Sequence, residues 1–113
     1  MILNEQHAHA EGYLLELREE GILLGSVYLF ILHTDRHDEP YATMENLYVE
    51  ETFRGRGYGR QLVEQAIEKA KERGCYKLLG QSRYENERAH DLYLKLGFRD
   101  HGKNFRMDLI SKD

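Results

Sequence analysis

The chain has 113 residues, of which 41% are hydrophobic and 32% charged, and this composition predicts one compact domain over residues 1–113. A net charge of −4 argues against a general nucleic-acid-binding protein, because phosphate contacts require a basic surface. No apolar run approaches the roughly 20 residues that cross a bilayer, and the N-terminus lacks a signal-peptide pattern, so we expect a cytoplasmic protein without a membrane partner.

Charge is distributed unevenly along the chain. Residues 1–50 contain 10 acidic and 2 basic side chains, whereas residues 51–113 contain 10 acidic and 14 basic ones. This asymmetry either serves solubility or indicates that the C-terminal half binds an anionic ligand while the N-terminal half faces a cationic one.

The first half of the chain predicts strands. Apolar runs at residues 13–18 and 22–32 flank the turn Glu19-Glu20-Gly21 and predict a β-hairpin. The second run is apolar on both faces, as in a central strand, and Gly25 within it indicates a bulge or the close approach of another backbone. Residues 33–40 predict a polar loop, and residues 41–49 a third strand.

Helical periodicity begins at residue 58. Residues 58–73 carry apolar side chains on one face and are followed by Gly74, a helix stop signal. A short strand at residues 75–81 then predicts a parallel pair with the third strand. A second helix is expected over residues 86–96, and a closing hairpin over residues 98–101 and 105–110. The predicted fold class is α/β, with a mixed, twisted sheet and two main helices.

The segment Arg54-Gly55-Arg56-Gly57-Tyr58-Gly59-Arg60 joins the third strand to the first helix. Arginines are unfavourable at a helix N-terminus, where each costs about 0.3–1 kcal/mol, but a bound anion would compensate for them. Glycines let backbone amides approach phosphate oxygens. The segment lacks the Lys-Ser or Lys-Thr pair of a triphosphate-hydrolysing loop, and its glycine spacing differs from that of a dinucleotide-binding turn. It therefore predicts a phosphate site of another kind.

Cysteine and histidine residues give no sign of metal or redox chemistry. Cys75 begins an apolar run, which predicts a buried thiol rather than a reactive one. The pairs His7/His9 and His33/His37 have no convincing third ligand, so no metal site is expected.

Two separated segments resemble the signatures of the GNAT superfamily of N-acetyltransferases. Arg54, Gly57 and Gly59 resemble its acyl-CoA-binding pattern of Arg or Gln, two residues, Gly, one residue, and Gly or Ala. Leu47-Tyr48-Val49 resembles the strand before that loop. The second signature is similar to the run that starts at Asn86, includes Tyr93 and ends at Phe98. The resemblance covers residues 22–110 in the family's order.

The resemblance implies an acyltransferase that moves an acetyl group from acetyl-CoA to a primary amine on a small molecule or a protein. The backbone at residues 47–49 would bind the pantetheine arm, and the loop would bind the pyrophosphate. The implied cofactor-binding residues are Leu47, Tyr48, Val49, Arg54, Gly55, Arg56, Gly57, Tyr58, Gly59, Arg60 and Asn86.

The resemblance also implies two catalytic residues. Tyr93 would assist departure of the CoA thiolate, and Glu45, shortly before the pantetheine-binding segment, is the candidate base. Each implied role has a structural alternative. Asn86 is also a good helix N-cap, Tyr93 lies on the apolar face of its helix, and Glu45 fits an exposed strand glutamate.

The chain departs from the family at its N-terminus. Relatives begin with a strand and two helices, whereas only about a dozen residues precede Tyr13 here. We expect a shortened GNAT-like fold with an open acceptor groove, and a homodimer that covers apolar surface at Leu14, Leu15 and Leu17. A non-catalytic acyl-CoA-binding sensor or regulatory module is the alternative function, and a structural domain without ligand is a weaker third.

Overall fold

A computed structural model describes residues 1–112 of the chain. The elements in chain order are β1 (Ala10–Glu19), β2 (Ile22–Leu32), β3 (Tyr41–Val49), a 3₁₀ turn (Glu51–Phe53), α1 (Tyr58–Glu72), β4 (Leu78–Leu79) and α2 (Glu87–Lys95). They form two compact units, the first Met1–Gly80 and the second from Gln81 onwards. That residues 1–113 are a single domain stays a prediction.

The sheet of the first unit is mixed, as predicted. Its strand order is β1-β2-β3-β4, with β2 antiparallel to both β1 and β3, and β4 parallel to β3. The connection from β3 to β4 contains α1, which confirms the predicted strand–helix–strand unit. Strands β2 and β3 also have the predicted bounds, because their apolar runs end at clear turn and loop signals.

The core of the first unit is made by one face of the sheet and the apolar face of α1. Side chains from both elements are less than 5% exposed, and they are Leu24, Val27, Leu29, Ile31, Ala42, Met44, Leu62, Val63, Ala66 and Ala70. The alternation within β2 and the helical spacing within α1 are the two periodicities that the sequence contains.

Gly25 lies where the backbone of β2 closely approaches the end of β3. The β1–β2 register shifts between the pairs Leu17/Gly25 and Arg18/Leu23, which marks a bulge. A Cβ atom added to Gly25 would lie 2.7 Å from the carbonyl oxygen of Tyr48. Both readings of this glycine are therefore confirmed, and the missing side chain is what allows the two backbones to approach.

Strand β4 is shorter than the predicted 75–81. The N–H groups of Cys75 and Tyr76 donate to Ala70 and Pro40 instead of a neighbouring strand, at 3.0 and 2.9 Å. Cys75 is half-buried, and burial together with the charge of Glu11 raises the pKa of its thiol, which favours the unreactive protonated form.

The predicted closing hairpin is wrong. Residues 98–110 form no strand, and Phe105, Met107 and Leu109 are 91%, 81% and 85% exposed. The alternating pattern is real, but alternation indicates only which side chains share a face, while a strand also requires a hydrogen-bonded partner.

The expected uncovered apolar surface is only partly as predicted. Leu14 pairs with Tyr28 and is 47% exposed, whereas Leu15 pairs with the buried Val27 on the face toward α1. Leu17 has the same side-chain direction as Leu15, and both are half-buried. Of the three leucines, Leu14 alone lies on the opposite face, because neighbouring residues of a strand point to opposite sides.

Candidate functional site

The end of β3 has one edge that β4 does not pair with. The parallel β3–β4 pairing comprises Ala42/Leu78 and Thr43/Leu79, so residues 47–49 lie beyond it. On the other side, the N–H group of Glu50 donates to the carbonyl of Leu24 at 2.9 Å, while Val49 is paired with Gly25. Antiparallel ladders alternate, so the backbone groups of Val49 point away from β2, toward this outer edge.

A bulge separates Glu45 from that edge. The β2–β3 register shifts between Ser26, paired with Tyr48, and Tyr28, paired with Glu45, and Asn46 in between has a φ of 53°. Asparagine tolerates this left-handed conformation better than most residues. The bulge leaves Glu45 half-buried, with its Oε1 3.4 Å from the hydroxyl oxygen of Thr43 that donates to it.

The loop after β3 uses two glycines in the left-handed region. Gly55 and Gly57 have φ values of 81° and 84°, which side-chain-bearing residues adopt only at a cost. Gly57 is the N-cap residue of α1, and no side chain accepts a capping hydrogen bond there. The first turn of the helix contains no acidic residue. The first amides of the helix therefore have no side-chain acceptor from the cap, and the space above both glycines is open to 4 Å. This is a site suited to an anion.

The three arginines of the loop have different surroundings. Arg54 donates from Nε to the carbonyl oxygen of Val49 at 2.8 Å, and its guanidinium lies over the ring of Tyr48. Arg56 lies over the ring of Phe53, and Arg60 pairs with Glu64 at 3.4 Å across one helix turn. An exposed pair of the latter kind contributes only about 0.3–0.5 kcal/mol, so Arg60 can easily turn to a bound anion.

The strand edge and the loop are contiguous. Arg54 contacts Val49 and Tyr48, and a Cβ atom on Gly59 would lie 3.7 Å from Cγ2 of Val49. Tyr58, half-buried, begins α1 between these glycines. The structure thus brings together the predicted segments 47–49 and 54–60 in one unit.

Asn86 and Tyr93 lie in the second unit. The side-chain oxygen of Asn86 accepts a hydrogen bond from the N–H of Ala89 at 3.2 Å, so the residue is an N-cap of α2. Tyr93 is half-buried, its ring centroid lies 5.3 Å from that of Phe98, and burial raises the pKa of its phenol. It is therefore protonated at neutral pH.

Two residues of the strand end were not singled out from the sequence as parts of a site. Gly25 gives room for the strand end, and Asn46 forms the bulge beside Glu45. Gly25 carried a detectable signal, since a glycine inside an apolar strand is unusual, whereas Asn46 carried only the weak tolerance of asparagine for positive φ. Among residues 1–112 no cluster of three potential metal ligands occurs, and no helix there is long and apolar enough to cross a membrane.

Fold and loop together define an α/β protein in which a glycine-rich loop leads into the uncapped N-terminus of α1. Residues 2–98 match the Acetyltransferase (GNAT) family, and the chain belongs to that family. The superfamily resemblance is thereby confirmed, and the family to which the chain belongs is one of acetyltransferases that use acetyl-CoA as the acetyl donor.

Similar proteins include enzymes and a regulator. A glucosamine 6-phosphate N-acetyltransferase from Trypanosoma brucei brucei is 33% identical over 79% of this chain and 59% of its own length. An acetyltransferase structure from Trypanosoma brucei is 30% identical with a TM-score of 0.75, covering 90% of this chain and 70% of that one. A transcriptional regulator from Bacillus halodurans C-125 is 27% identical with a TM-score of 0.81, covering 87% and 66%. The chain thus spans 59% of the curated trypanosomal relative.

Proposed function

We propose that this protein is an N-acetyltransferase that transfers an acetyl group from acetyl-CoA to a primary amine by direct attack. The observation that carries the proposal is the continuity of the β3 outer edge with the glycine loop of α1. Peptide groups on a strand edge can pair with the amides of a pantetheine arm as they would with another strand. The helix N-terminus beside them suits the diphosphate that follows this arm in coenzyme A.

The attacking amine must lose a proton before it is nucleophilic. For a lysine-like ammonium with a pKa near 10.4, this costs about 4–5 kcal/mol at pH 7. Glu45 is our candidate for the base, acting through a water, because its carboxylate is half-buried next to the bulge that precedes residues 47–49. A backbone N–H near residues 47–49 would stabilise the oxyanion that forms on the acetyl carbonyl.

The leaving thiolate needs a proton donor or a strong hydrogen bond. A tyrosine near pKa 10 is about 1.5 units weaker as an acid than a thiol near 8.5, so full proton transfer to the thiolate costs roughly 2 kcal/mol and a strong hydrogen bond from the phenol is sufficient. Burial raises the pKa of Tyr93 and keeps its hydroxyl proton available as a donor. We assign thiolate stabilisation to Tyr93 and a polar contact with the cofactor arm to Asn86, whose amide NH₂ is not needed for its cap. No covalent acyl-enzyme is required.

The acceptor is proposed only as a class. The excess of acidic residues in the first 50 residues, 10 against 2 basic ones, favours a cationic amine. A polyamine, a lysine side chain and a protein N-terminus all fit this description.

The experiment is a thiol-release assay with acetyl-CoA and a panel of amines and peptides. We expect at least one cationic amine to release free CoA in proportion to N-acetyl product, measured by mass spectrometry. Replacement of the amine by the corresponding alcohol is the matched control. Binding of acetyl-CoA without release for any amine would contradict the transferase proposal.

That last outcome would favour a second candidate, a non-catalytic acyl-CoA-binding sensor or regulatory module. The likeness to a bacterial transcriptional regulator is the observation in its favour. A sensor would bind acetyl-CoA and change its affinity for a partner while leaving the thioester intact.

The expected homodimer also stays a proposal. Leu14, Tyr28 and Phe30 share the sheet face opposite the core and are 47%, 39% and 36% exposed. Apolar patches of this kind often mark an interface. Light scattering at micromolar concentration should give twice the monomer mass, and Leu14→Glu should return it to the monomer value. A monomer in the unaltered protein would contradict the proposal.

A further inference from the structure

The first arginine of the loop is turned toward the strand. Arg54 Nε donates to the carbonyl oxygen of Val49 at 2.8 Å, and its guanidinium carbon lies 5.3 Å from the centroid of the Tyr48 ring. Both contacts are made with the last two residues of β3. Its Nε–H is therefore used within the protein, whereas a phosphate ligand would direct this group outward.

The carbonyl that Arg54 binds belongs to the unpaired edge. Val49 lies beyond the last β3–β4 pair, Thr43/Leu79, and its backbone groups point away from β2. Backbone at a strand end without a neighbouring strand is more easily displaced than backbone within a ladder. By giving this carbonyl a donor and covering the adjacent ring, Arg54 fixes the orientation of the last peptide groups of the edge.

We infer that Arg54 is a positioning residue for the pantetheine-binding edge and acts through the hydrogen bond from Nε to the Val49 carbonyl, not through its charge. The inference rests on the proposed function, since that function assigns the edge to the pantetheine arm. Neutralisation of the diphosphate falls to Arg56 and Arg60. Arg60 is suited to this role because its exposed pair with Glu64, at 3.4 Å, is readily exchanged.

Three substitutions separate the hydrogen bond from the charge. In Arg54→Gln, the side-chain Nε2 follows Cδ just as Nε does in arginine, so a donor remains at the same position without a charge. In Arg54→Lys the charge remains, but the corresponding atom is a carbon that cannot donate. Arg54→Met has neither property.

The experiment measures affinity by calorimetry for two ligands, coenzyme A and its nucleotide fragment 3′-phosphoadenosine 5′-diphosphate, which lacks the pantetheine arm. For coenzyme A, we expect Arg54→Gln to stay within about threefold of the unaltered protein, and Arg54→Lys and Arg54→Met to bind about tenfold more weakly. For the fragment, all three variants should stay within about twofold. Arg60→Gln is the matched control and should weaken the binding of both ligands to a similar extent.

Two kinds of result would overturn the inference. If Arg54→Lys keeps its affinity while Arg54→Gln loses it, or if the fragment is weakened as much as coenzyme A, Arg54 acts as a phosphate ligand. If all three variants bind coenzyme A normally, the residue has no role in binding. Circular dichroism checks folding, and if Arg54→Met fails to fold, the comparison of Gln with Lys decides alone. Absence of coenzyme A binding by the unaltered protein would refute the proposed function, and this inference with it.

Discussion

Replacing Gly25 by alanine tests the close approach of β2 to the end of β3. The added Cβ atom would lie 2.7 Å from the Tyr48 carbonyl oxygen, 3.0 Å from Cδ1 of Leu62 and 3.2 Å from Cα of Val49. The leucine methyl can rotate away, but the two backbone atoms cannot. An ordinary carbon–oxygen contact is about 3.3 Å, so the strand end must move by about 0.6 Å.

The size of the effect follows from two opposing terms. Overpacking of this kind costs about 1–3 kcal/mol, whereas a glycine-to-alanine change stabilises by about 0.4–1 kcal/mol through the unfolded chain. We expect a net loss of about 1–2 kcal/mol, or about 4–8 °C in Tm for a chain of this size. Affinity for coenzyme A should fall as well, because Val49 and the edge that it belongs to are displaced.

Thermal unfolding and calorimetry measure the two effects. Gly102→Ala is the matched control, since an added Cβ there meets nothing within 4 Å, and it should lower neither Tm nor affinity. If Gly25→Ala also leaves Tm and affinity unchanged, the strand end accepts a side chain, and the close approach is not what shapes this edge.

Substitutions at three positions test the assigned roles. Tyr93→Phe should lower kcat with little change in cofactor affinity. The control Tyr84→Phe, at an exposed tyrosine, should leave kcat unchanged. If Tyr93→Phe has the same kcat as the unaltered protein, the assignment of Tyr93 is wrong. Burial raises the pKa of the Tyr93 phenol in the folded protein. The stability that depends on the protonated phenol is therefore complete below about pH 10, the pKa of tyrosine in the unfolded chain, and is lost as the pH rises through the pKa of the folded state. Phenylalanine does not titrate, so Tyr93→Phe should also resist alkaline unfolding better. Glu45→Gln should reduce kcat strongly at pH 7 and less near pH 10, where the amine loses its proton unaided, and a pH-independent loss would argue against a base. Asn86→Ala should lower the free energy of unfolding by about 1 kcal/mol, and Asn86→Ser should restore the helix cap. If the affinity for coenzyme A falls in Asn86→Ala and recovers in Asn86→Ser together with the stability, Asn86 acts only as a helix cap.

The sequence predicted the parts of this fold that depend on local chemistry. Helix α1 has a continuous apolar face and a glycine stop, and the loop before it has glycines at the two positions that require positive φ. Strands β2 and β3 are bounded by a turn and a polar loop. In each case the signal lies within a few residues of the element that it specifies.

What the sequence could not predict depends on groups distant in the chain or on hydrogen-bonded partners. The direction of the Arg54 side chain depends on where the Val49 carbonyl lies after β3 has passed its last pair with β4. The residues 98–110 alternate as a strand would, yet alternation does not supply a neighbouring strand. The different faces of Leu14 and Leu15 could have been recognised, since neighbouring residues of a strand point to opposite sides.

The most direct test of the whole account is the structure of a crystal soaked with coenzyme A. We expect the diphosphate to accept hydrogen bonds from the backbone amides around Gly55, Gly57 and Gly59, with the pantetheine arm along residues 47–49. A diphosphate bound elsewhere, or no bound coenzyme A at a saturating concentration, would contradict the assignment of this loop and edge.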